Sequence, residues 1–415
     1  MGETRSPFGH RDFALYFAAQ TTEALALTMA TVAIGWQVYS VRESPLDLAL
    51  VALAEFIPLP LLALPAGHLA DRFPRWRLWT SMLALNTLVL GGLLAVTLSG
   101  ADKVWPFFAL AFLQGIGSAV GAPASRALMP SLVPQDLLLK ALAQRSVGFQ
   151  LTVVAGPAAG GLLFAVQDEL VYAVGIVLSL AAVGCALFVQ KGRKPANTDE
   201  SAEFGDVLAG VRLIRRTRVL YGAISLDLFA VLLGGAVALL PIFAKDVLEV
   251  GPTGLGLLRA STPAGAFLTA LVLARFPIRR HAGPTLFFVV AGFGASIVLF
   301  GLSRQMWLSM LALGLSGAFD LVSMVLRSTI VPLVTPDELR GRVTAVEMVF
   351  ISASNELGAF EAGVAAALIG AVPAVVVGGI ATIVIAATWW RLFPELRRMD
   401  RIDELRPVAL DPTLS

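Results

Sequence analysis

Several carboxylate side chains stand inside long apolar stretches of this sequence, and they have the greatest capacity for chemistry. They are Glu23, Glu55, Asp227, Asp320 and Glu356. An ionised carboxylate is costly in an apolar medium, so each is expected to exchange a proton, contact a ligand or bind a partner. We interpret all five as candidates for ion coupling or substrate contact. For Glu23 and Asp227, 204 positions apart, a structural hydrogen bond between helices is the alternative.

Arg259 also lies within an apolar stretch and needs a carboxylate partner. Asp227 and Glu356 are the two candidates, and the sequence leaves the choice between them open. Glu347 lies near the end of another apolar stretch, where we expect it to pair with an arginine of a loop.

The composition places these charges in a bilayer. The chain has 415 residues, 57% of them hydrophobic and 14% charged, with a mean hydropathy of +0.79. A soluble domain carries about 25% charged residues, so the exterior here must be largely apolar. The formal charge of +2 gives no support for nucleic-acid binding. One cysteine and three scattered histidines predict no disulfide and no metal site, and we expect no cofactor.

Twelve apolar runs are long enough to cross a bilayer, which takes about 20 helical residues. We therefore predict an all-α membrane protein with twelve transmembrane helices. Lys and Arg concentrate in alternate loops, and the opposite loops hold only Arg42, Lys103, Lys245 and Arg304, which predicts that both termini are cytoplasmic. The runs lie at about 13–40, 46–66, 76–98, 104–123, 144–166, 170–190, 218–244, 252–275, 283–303, 306–330, 343–369 and 372–393.

An internal repeat divides these helices into two sets of six. FPRWR at 73–77 matches FPIRR at 276–280, and PSLVPQDLL at 130–138 matches PLVTPDELR at 332–340. Parallel repeats of this kind are typical of transporters that bind their substrate between the two halves. We predict two pseudo-symmetric six-helix bundles at 1–190 and 218–394. A cytoplasmic connector with a short amphipathic helix spans 191–217, and a cytoplasmic tail spans 395–415.

Two motifs resemble signatures of the major facilitator superfamily. GHLADRFPRWR resembles the loop between the second and third helices of that superfamily, and Gly67, Asp71, Arg72 and Arg75 match it. AGPAAGG resembles the fifth-helix signature of its proton-driven exporters, a branch that includes enterobactin and macrolide exporters. The matching residues of this second motif are Gly156, Pro157, Gly160 and Gly161. The chain departs from many drug–proton antiporters at Ala111, where they carry an arginine.

The resemblance implies roles for particular residues. It implies a gate contact between Asp71 and the start of the eleventh helix, for which we expect Arg342 as the partner. It also implies that the first and seventh helices, which carry Glu23 and Asp227, line the central cavity. For the glycines of the fifth helix we weigh sliding of helices during transport against static close packing.

We therefore expect a secondary active transporter, a proton-coupled exporter of a small amphipathic molecule of drug or siderophore type. The expected location is the bacterial inner membrane, and we expect a monomer. An uptake symporter driven by protons or sodium is the first alternative, and a receptor that does not transport is the second. An enzyme is not expected, because HExxH, GxSxG with a histidine partner and Walker sequences are all missing.

Overall fold

The computed structural model describes residues 6–62, 73–100, 102–190, 204–401, 405 and 407, with the backbone alone for 204–209 and 352. Within these ranges the regular structure is helical and no strand occurs, which confirms the predicted all-α class. Twelve long helices, labelled α1 to α12, correspond to the predicted runs. They are α1 Arg11–Arg42, α2 Pro45–Phe56, α3 Arg75–Leu98, α4 Trp105–Leu128, α5 Leu138–Val166, α6 Leu170–Leu187, α7 Arg218–Leu233, α8 Gly251–Arg275, α9 Ala282–Leu302, α10 Met306–Val334, α11 Arg340–Ile369 and α12 Ala371–Leu392.

Eleven helical segments of the described chain are long and apolar enough to cross a bilayer. The other long helix, α11, has 30 residues, or about 45 Å at 1.5 Å per residue. This length suffices to cross a bilayer, but α11 does not meet the criterion of apolarity that the other eleven segments meet. The charged residues of α11 are Arg340, Arg342, Glu347, Glu356 and Glu361.

Some helices extend beyond the apolar runs from which they were predicted. Helix α5 begins at Leu138, six residues before the predicted start, and α10 continues to Val334. Apolar composition marks only the part of a helix that lies in hydrocarbon. A helix can continue into water with a charged residue such as Lys140, which lies before the predicted run.

Helix α7 ends partway along its apolar span, which runs from Arg218 to Val247. It ends at Leu233, and after Gly234 and Gly235 the chain forms a 3-10 turn at Ala236–Leu239 and a π-helix at Phe243–Val247. A Cβ atom at Gly235 would lie 2.5 Å from the carbonyl oxygen of Gly358 in α11. Only glycine permits this approach of the two backbones, so the break lies where α7 meets α11.

Contacts divide the chain into two compact units. The first comprises 1–199 with 244–260, and the second comprises 200–243 with 261–415. The units differ from the two predicted halves in the segment 244–260, which belongs to the first unit, and in the predicted connector 191–217, which is divided after residue 199. The domain boundaries drawn from the repeat stay a prediction.

The first unit is organised around α1, which packs against α5 and α6. The glycines of the fifth-helix motif make one of these contacts very close. A Cβ atom at Gly160 would lie 2.5 Å from the carbonyl oxygen of Met29 in α1. On another face of α5, a Cβ atom at Gly161 would lie 2.5 Å from the carbonyl oxygen of Pro252, in the first turn of α8. The motif therefore brings α5 into backbone contact with two helices at once.

The second unit has an apolar core formed by α7, α9, α10, α11 and α12, together with a connector helix at Phe204–Arg216. This connector helix lies where the sequence indicates a short amphipathic helix. A Cβ atom at its Gly210 would lie 3.0 Å from the carbonyl oxygen of Arg342. The connector helix thus packs against the first turn of α11. The apolar core of this unit includes Leu213, Leu220, Leu286, Ile330 and Val343.

Candidate functional site

A buried ion-pair cluster lies in the second unit, within the membrane helices. Arg327 of α10 places Nη2 2.7 Å from Oδ1 of Asp227 in α7, and Nη1 3.7 Å from Oε1 of Glu347 in α11. Asp227 and Arg327 are each 4% exposed, and Glu347 is 9% exposed. One guanidinium therefore joins three helices through two carboxylates, which together with Arg327 we call the Arg327 cluster.

Asp320 extends the Arg327 cluster toward a small cavity. It lies two helical turns before Arg327 on α10, and it lines this cavity with Asp227 and Ser323. Unlike Asp227, the Asp320 side chain is exposed. The cavity therefore connects a buried carboxylate with an accessible one, and both were candidates from the sequence.

The charges of the Arg327 cluster and Asp320 do not balance when every group is ionised. Three carboxylates would face one guanidinium, and a guanidinium keeps its charge whereas a carboxylate can take up a proton. Among the described residues, the buried Nε of Arg327 and the buried Oγ of Ser323 have no hydrogen-bond partner. The arrangement can therefore bind protons on its carboxylates and can offer a donor to a further group.

Two pairings expected from the sequence can be compared with the structure here. Asp227, one of two candidate partners of Arg259, forms an ion pair with Arg327, and the partner of Arg259 stays a prediction. Glu347 also pairs with Arg327, which lies within a membrane helix and not in a loop. The sequence analysis assigned no role to Arg327. The available signal was its position seven residues after Asp320, which places both side chains on similar faces of α10.

Glu23 has a different environment in the first unit. Asn86 of α3 donates a hydrogen bond from Nδ2 to Oε1 of Glu23 at 2.8 Å, and Ser179 of α6 donates from Oγ to Oε2 at 2.7 Å. The Glu23 residue is 6% exposed. Each carboxylate oxygen thus holds one neighbouring helix, which is the geometry of the interhelical hydrogen bond that we weighed as its alternative role. A role in transport stays a prediction.

Glu55 of α2 faces α4 at the point where a Gln-Gly pair brings the helices together. Gln114 donates from Nε2 to Oε1 of Glu55 at 3.2 Å, and a Cβ atom at Gly115 would lie 2.2 Å from the Glu55 carbonyl oxygen. The positive charge of Arg259 in α8 also acts on the Glu55 carboxylate. Glu55 and Arg259, both candidates from the sequence, therefore influence one another electrostatically.

A polar contact that the sequence did not indicate joins the end of α1 to the π-helix of the first unit. The Tyr39 hydroxyl donates a hydrogen bond to the Asp246 carboxylate, and Lys245 forms an ion pair with Glu43 at 2.9 Å. The Lys245 ammonium also lies 5.5 Å from the centre of the Tyr39 ring. All four of these residues belong to the first unit.

The remaining candidates are only partly described. Gly67, Asp71 and Arg72 lie outside the described residues, so the expected pair of Asp71 with Arg342 stays a prediction. Arg75 donates a hydrogen bond to the carbonyl oxygen of Ala127 at 3.2 Å and so ties the start of α3 to the end of α4. Glu356 is half-buried in α11. Within the described ranges, no cluster of His, Cys, Asp and Glu side chains is arranged to hold a metal ion.

Apolar helices of membrane-spanning length define a multi-pass membrane protein, and charged residues buried inside them commonly mark a substrate or ion pathway. Comparison with known families agrees. The family model MFS_3, described as a transmembrane secretion effector, matches residues 3–412. The chain therefore belongs to this family of the major facilitator superfamily, and it is a transporter and not an enzyme.

Curated relatives are similar over most of their length. The enterobactin exporter EntS of Shigella boydii serotype 18 is 26% identical over 400 residues, which cover 94% of this chain and 93% of that protein. The uncharacterized MFS-type transporter YvqJ of Bacillus subtilis is 27% identical over 321 residues, which cover 74% of each chain.

Solved structures share the fold. A bacterial homolog of the human lysosomal transporter Spinster, in an inward-facing and occupied conformation, has a TM-score of 0.75 at 14% identity and covers 94% of this chain and 98% of its own. The nucleoside transporter NupG has a TM-score of 0.71 at 12% identity and covers 92% and 99%. At these identities the likeness extends to the fold alone.

Proposed function

We propose that this chain is a proton-coupled exporter that moves a small amphipathic molecule across the bacterial inner membrane by alternating access, with both termini in the cytoplasm. The observation that carries the proposal is the Arg327 cluster. Three membrane helices hold a guanidinium between two carboxylates, beside a third carboxylate that is exposed. Buried ionisable residues of transporters commonly mark a proton relay or a substrate pathway.

The mechanism follows from the competition for Arg327. When Asp227 is ionised, its contact at 2.7 Å holds α7 to α10. When Asp227 takes up a proton, it loses its charge attraction, and Arg327 becomes available to Glu347 or to an acidic group of the substrate. Proton binding and substrate binding then alter the same contacts, so each changes the affinity for the other.

Transport also requires that the two facing states bind protons and substrate with different affinities. Exposed Asp320 and buried Asp227 line one cavity, which provides a route by which a proton can reach the Arg327 cluster. The proposed gate of Asp71 with Arg342, implied by the family, would then close the cytoplasmic side. Glu23, Glu55, Arg259 and Glu356 are proposed to contribute to coupling or to substrate contact.

The substrate class rests on the relatives. The name of EntS assigns to that protein the export of enterobactin, and the family description refers to secretion. We infer that this chain exports a siderophore-like or drug-like compound. A donor such as Arg327 suits an acidic or chelating group, whereas the carboxylates suit a cationic one.

The test uses the full chain in liposomes that contain a pH-sensitive dye. Iron-free enterobactin and a lipophilic cationic dye are the two probes, and gradients of protons and of sodium are imposed separately. We expect a proton gradient to drive transport of at least one probe opposite to the proton flow. Transport driven by sodium alone would exclude proton coupling, and movement of probe and proton in the same direction would indicate an uptake symporter.

A further inference from the structure

The cavity between Asp227 and Asp320 has the size and the polar groups of a site for one water molecule. Its volume is about 10 Å³, and a cavity of about 10–15 Å³ holds one water molecule, which needs two to four polar partners. Three polar side chains line it, those of Asp227, Asp320 and Ser323. The other walls are apolar, with Val290 and Phe293 of α9 among them. A water molecule here would therefore meet three hydrogen-bonding side chains.

Ser323 is the polar side chain of this cavity that the protein itself leaves unused. It is 3% exposed, and its buried Oγ has no hydrogen-bond partner among the described residues. A buried hydroxyl group without a partner lowers stability. Serine in a helix can bond to its own backbone instead, and Ser328, also on α10, donates to the carbonyl oxygen of Val325 at 3.0 Å. Ser323 makes no such bond within the described residues, and it lines the cavity.

The two carboxylates on this cavity differ in their access to solvent. Asp320 is exposed, whereas Asp227 is 4% exposed. The charge of Asp320 acts on Asp227, yet in the part of the chain that the structure describes no hydrogen bond joins the two carboxylates directly. A proton that passes from one to the other therefore needs a carrier. Ser323 lies three residues after Asp320, on the same face of α10.

We propose that one water molecule, held by Ser323 in this cavity, carries protons between Asp320 and Asp227. The protonated Asp320 carboxyl group gives its proton to the water oxygen, and the water gives one of its own protons to the ionised Asp227 carboxylate. The other proton of the water stays with it, in a hydrogen bond that Ser323 Oγ accepts. One proton thus moves from the exposed to the buried carboxylate, the water is regenerated and the total charge is unchanged.

Ser323 is accordingly a positioning residue, because it holds the water and exchanges no proton itself. The proton that reaches Asp227 removes the negative charge that faces Arg327 at 2.7 Å and Glu347 beyond it. The water site can be tested without transport, whereas its use in proton coupling rests on the proposed function.

The first experiment is infrared difference spectroscopy of the purified full chain in detergent, with a pH step as the trigger and no substrate. Spectra are recorded in ordinary water and in water labelled with oxygen-18. We expect an O–H stretching band of a buried water that shifts with the label. Ser323→Ala should lose this band, and Ala230→Val should lose it too, because Ala230 lines the cavity and added methyl groups would fill it. Ser328→Ala, the same substitution at an exposed serine of α10, should retain the band.

The second experiment distinguishes a held water from a dry hydroxyl group by the sign of the stability change. If Ser323 bonds to water, Ser323→Ala loses that bond, and the SDS concentration at half-unfolding in mixed micelles should fall. If the cavity is dry, Ser323→Ala removes a buried group without a partner, and that concentration should rise.

The third experiment follows proton uptake after the pH step with a pH indicator in stopped flow. The phase that Asp227→Asn abolishes reports the proton that reaches Asp227. This phase should be about tenfold slower in Ser323→Ala, the effect of one lost hydrogen bond on the barrier, and unchanged in Ser328→Ala. A purely structural role of Ser323 would leave this rate unchanged.

Four results would overturn the proposal. Absence of a label-sensitive band in the wild type, or its persistence in Ser323→Ala, would remove the water from this cavity. A higher SDS midpoint in Ser323→Ala would show a dry serine, and equal uptake rates would show that the water carries no proton. Stabilisation by sodium chloride but not by choline chloride, lost in Ser323→Ala, would place a cation in the cavity. If the three experiments succeed but liposomes show no proton-coupled transport, the proposed function fails and the water site stands.

Discussion

Substitution of either partner of the Asp227–Arg327 pair should lower the free energy of unfolding strongly. Substitution of both should lower it by less than the sum of the two single effects. The two residues are each 4% exposed and their charged atoms are 2.7 Å apart. Loss of one partner of a buried pair leaves an uncompensated charge and costs about 3–5 kcal/mol. Asp227→Asn should fall at the lower end, because Glu347 at 3.7 Å remains as a second partner for Arg327.

Arg327→Leu should fall at the upper end, because it deprives Asp227 and Glu347 of their shared cation. The double variant Asp227→Asn, Arg327→Leu should cost about 1–3 kcal/mol less than the two single costs together, since neither of the two charges is left without its partner. Unfolding in mixed micelles with increasing SDS measures each variant. The cost of Arg327→Leu should shrink at acidic pH, because carboxylates can be neutralised by protons.

A matched control is available in the same unit. Asp337 and Arg340 form an ion pair three residues apart, with side chains 79% and 45% exposed. A surface pair of this kind couples by about 0.3–0.5 kcal/mol, so the cycle of Asp337→Asn with Arg340→Leu should give that small value. Equal coupling energies in the two cycles would refute the interpretation of the Arg327 cluster as a buried charge network.

Three other predictions concern packing, hydrogen bonding and pH. Gly160→Ala should lower the free energy of unfolding by about 1–3 kcal/mol, because its Cβ would lie 2.5 Å from the Met29 carbonyl oxygen. Gly184→Ala is the control: a Cβ atom there would meet no atom within 4 Å, so this variant should be neutral or stabilising in the same SDS titration. Glu23→Ala should lower the free energy of unfolding by about 1–3 kcal/mol, because it leaves the buried donors of Asn86 and Ser179 unpaired. If the role of Glu23 is structural, Glu23→Gln should keep most of the transport activity. Full loss of transport in a folded Glu23→Gln protein would contradict a structural role. The backbone N–H of His281, then the charges of His281 and Arg280, hold the pKa of exposed Asp400 below its ordinary value, so its stabilisation should be present above about pH 4 and be lost as pH falls further. In melting curves recorded from pH 6 to pH 3, the difference in Tm between the wild type and Asp400→Asn should become smaller. A constant difference in Tm would argue against the contact of Asp400 with His281 and Arg280.

The sequence predicted the helices well because hydrocarbon imposes a simple rule of length and apolarity. It failed at the ends, where helices such as α5 extend beyond the apolar run and include Lys140. The break after Leu233 was not predicted, because the glycine pair that follows resembles any packing glycines. At this break the backbone of α7 approaches that of α11 at Gly358, more than a hundred residues away, and no local pattern indicates that approach.

The sequence singled out two carboxylates of the candidate site but not the network that joins them. Asp227 and Asp320 were found because a carboxylate in an apolar run is costly and therefore conspicuous. Their cation was missed, since Arg327 is separated from Asp227 by 100 positions and no local spacing connects α7 with α10. Glu23 was found by the same rule as Asp227, yet its partners are the neutral donors Asn86 and Ser179. Apolar context identifies a buried charge, whereas only the packing of helices shows what neutralises it.

The most direct test of proton-coupled export is the proton movement that accompanies substrate in liposomes containing the purified chain and an internal pH dye. Addition of a transported probe should evoke proton flow in the opposite direction. Asp227→Asn should abolish this flow, and Asp337→Asn, the same chemical change at an exposed position, should leave it intact. Probe transport without proton movement, or an unchanged proton flow in Asp227→Asn, would contradict the account.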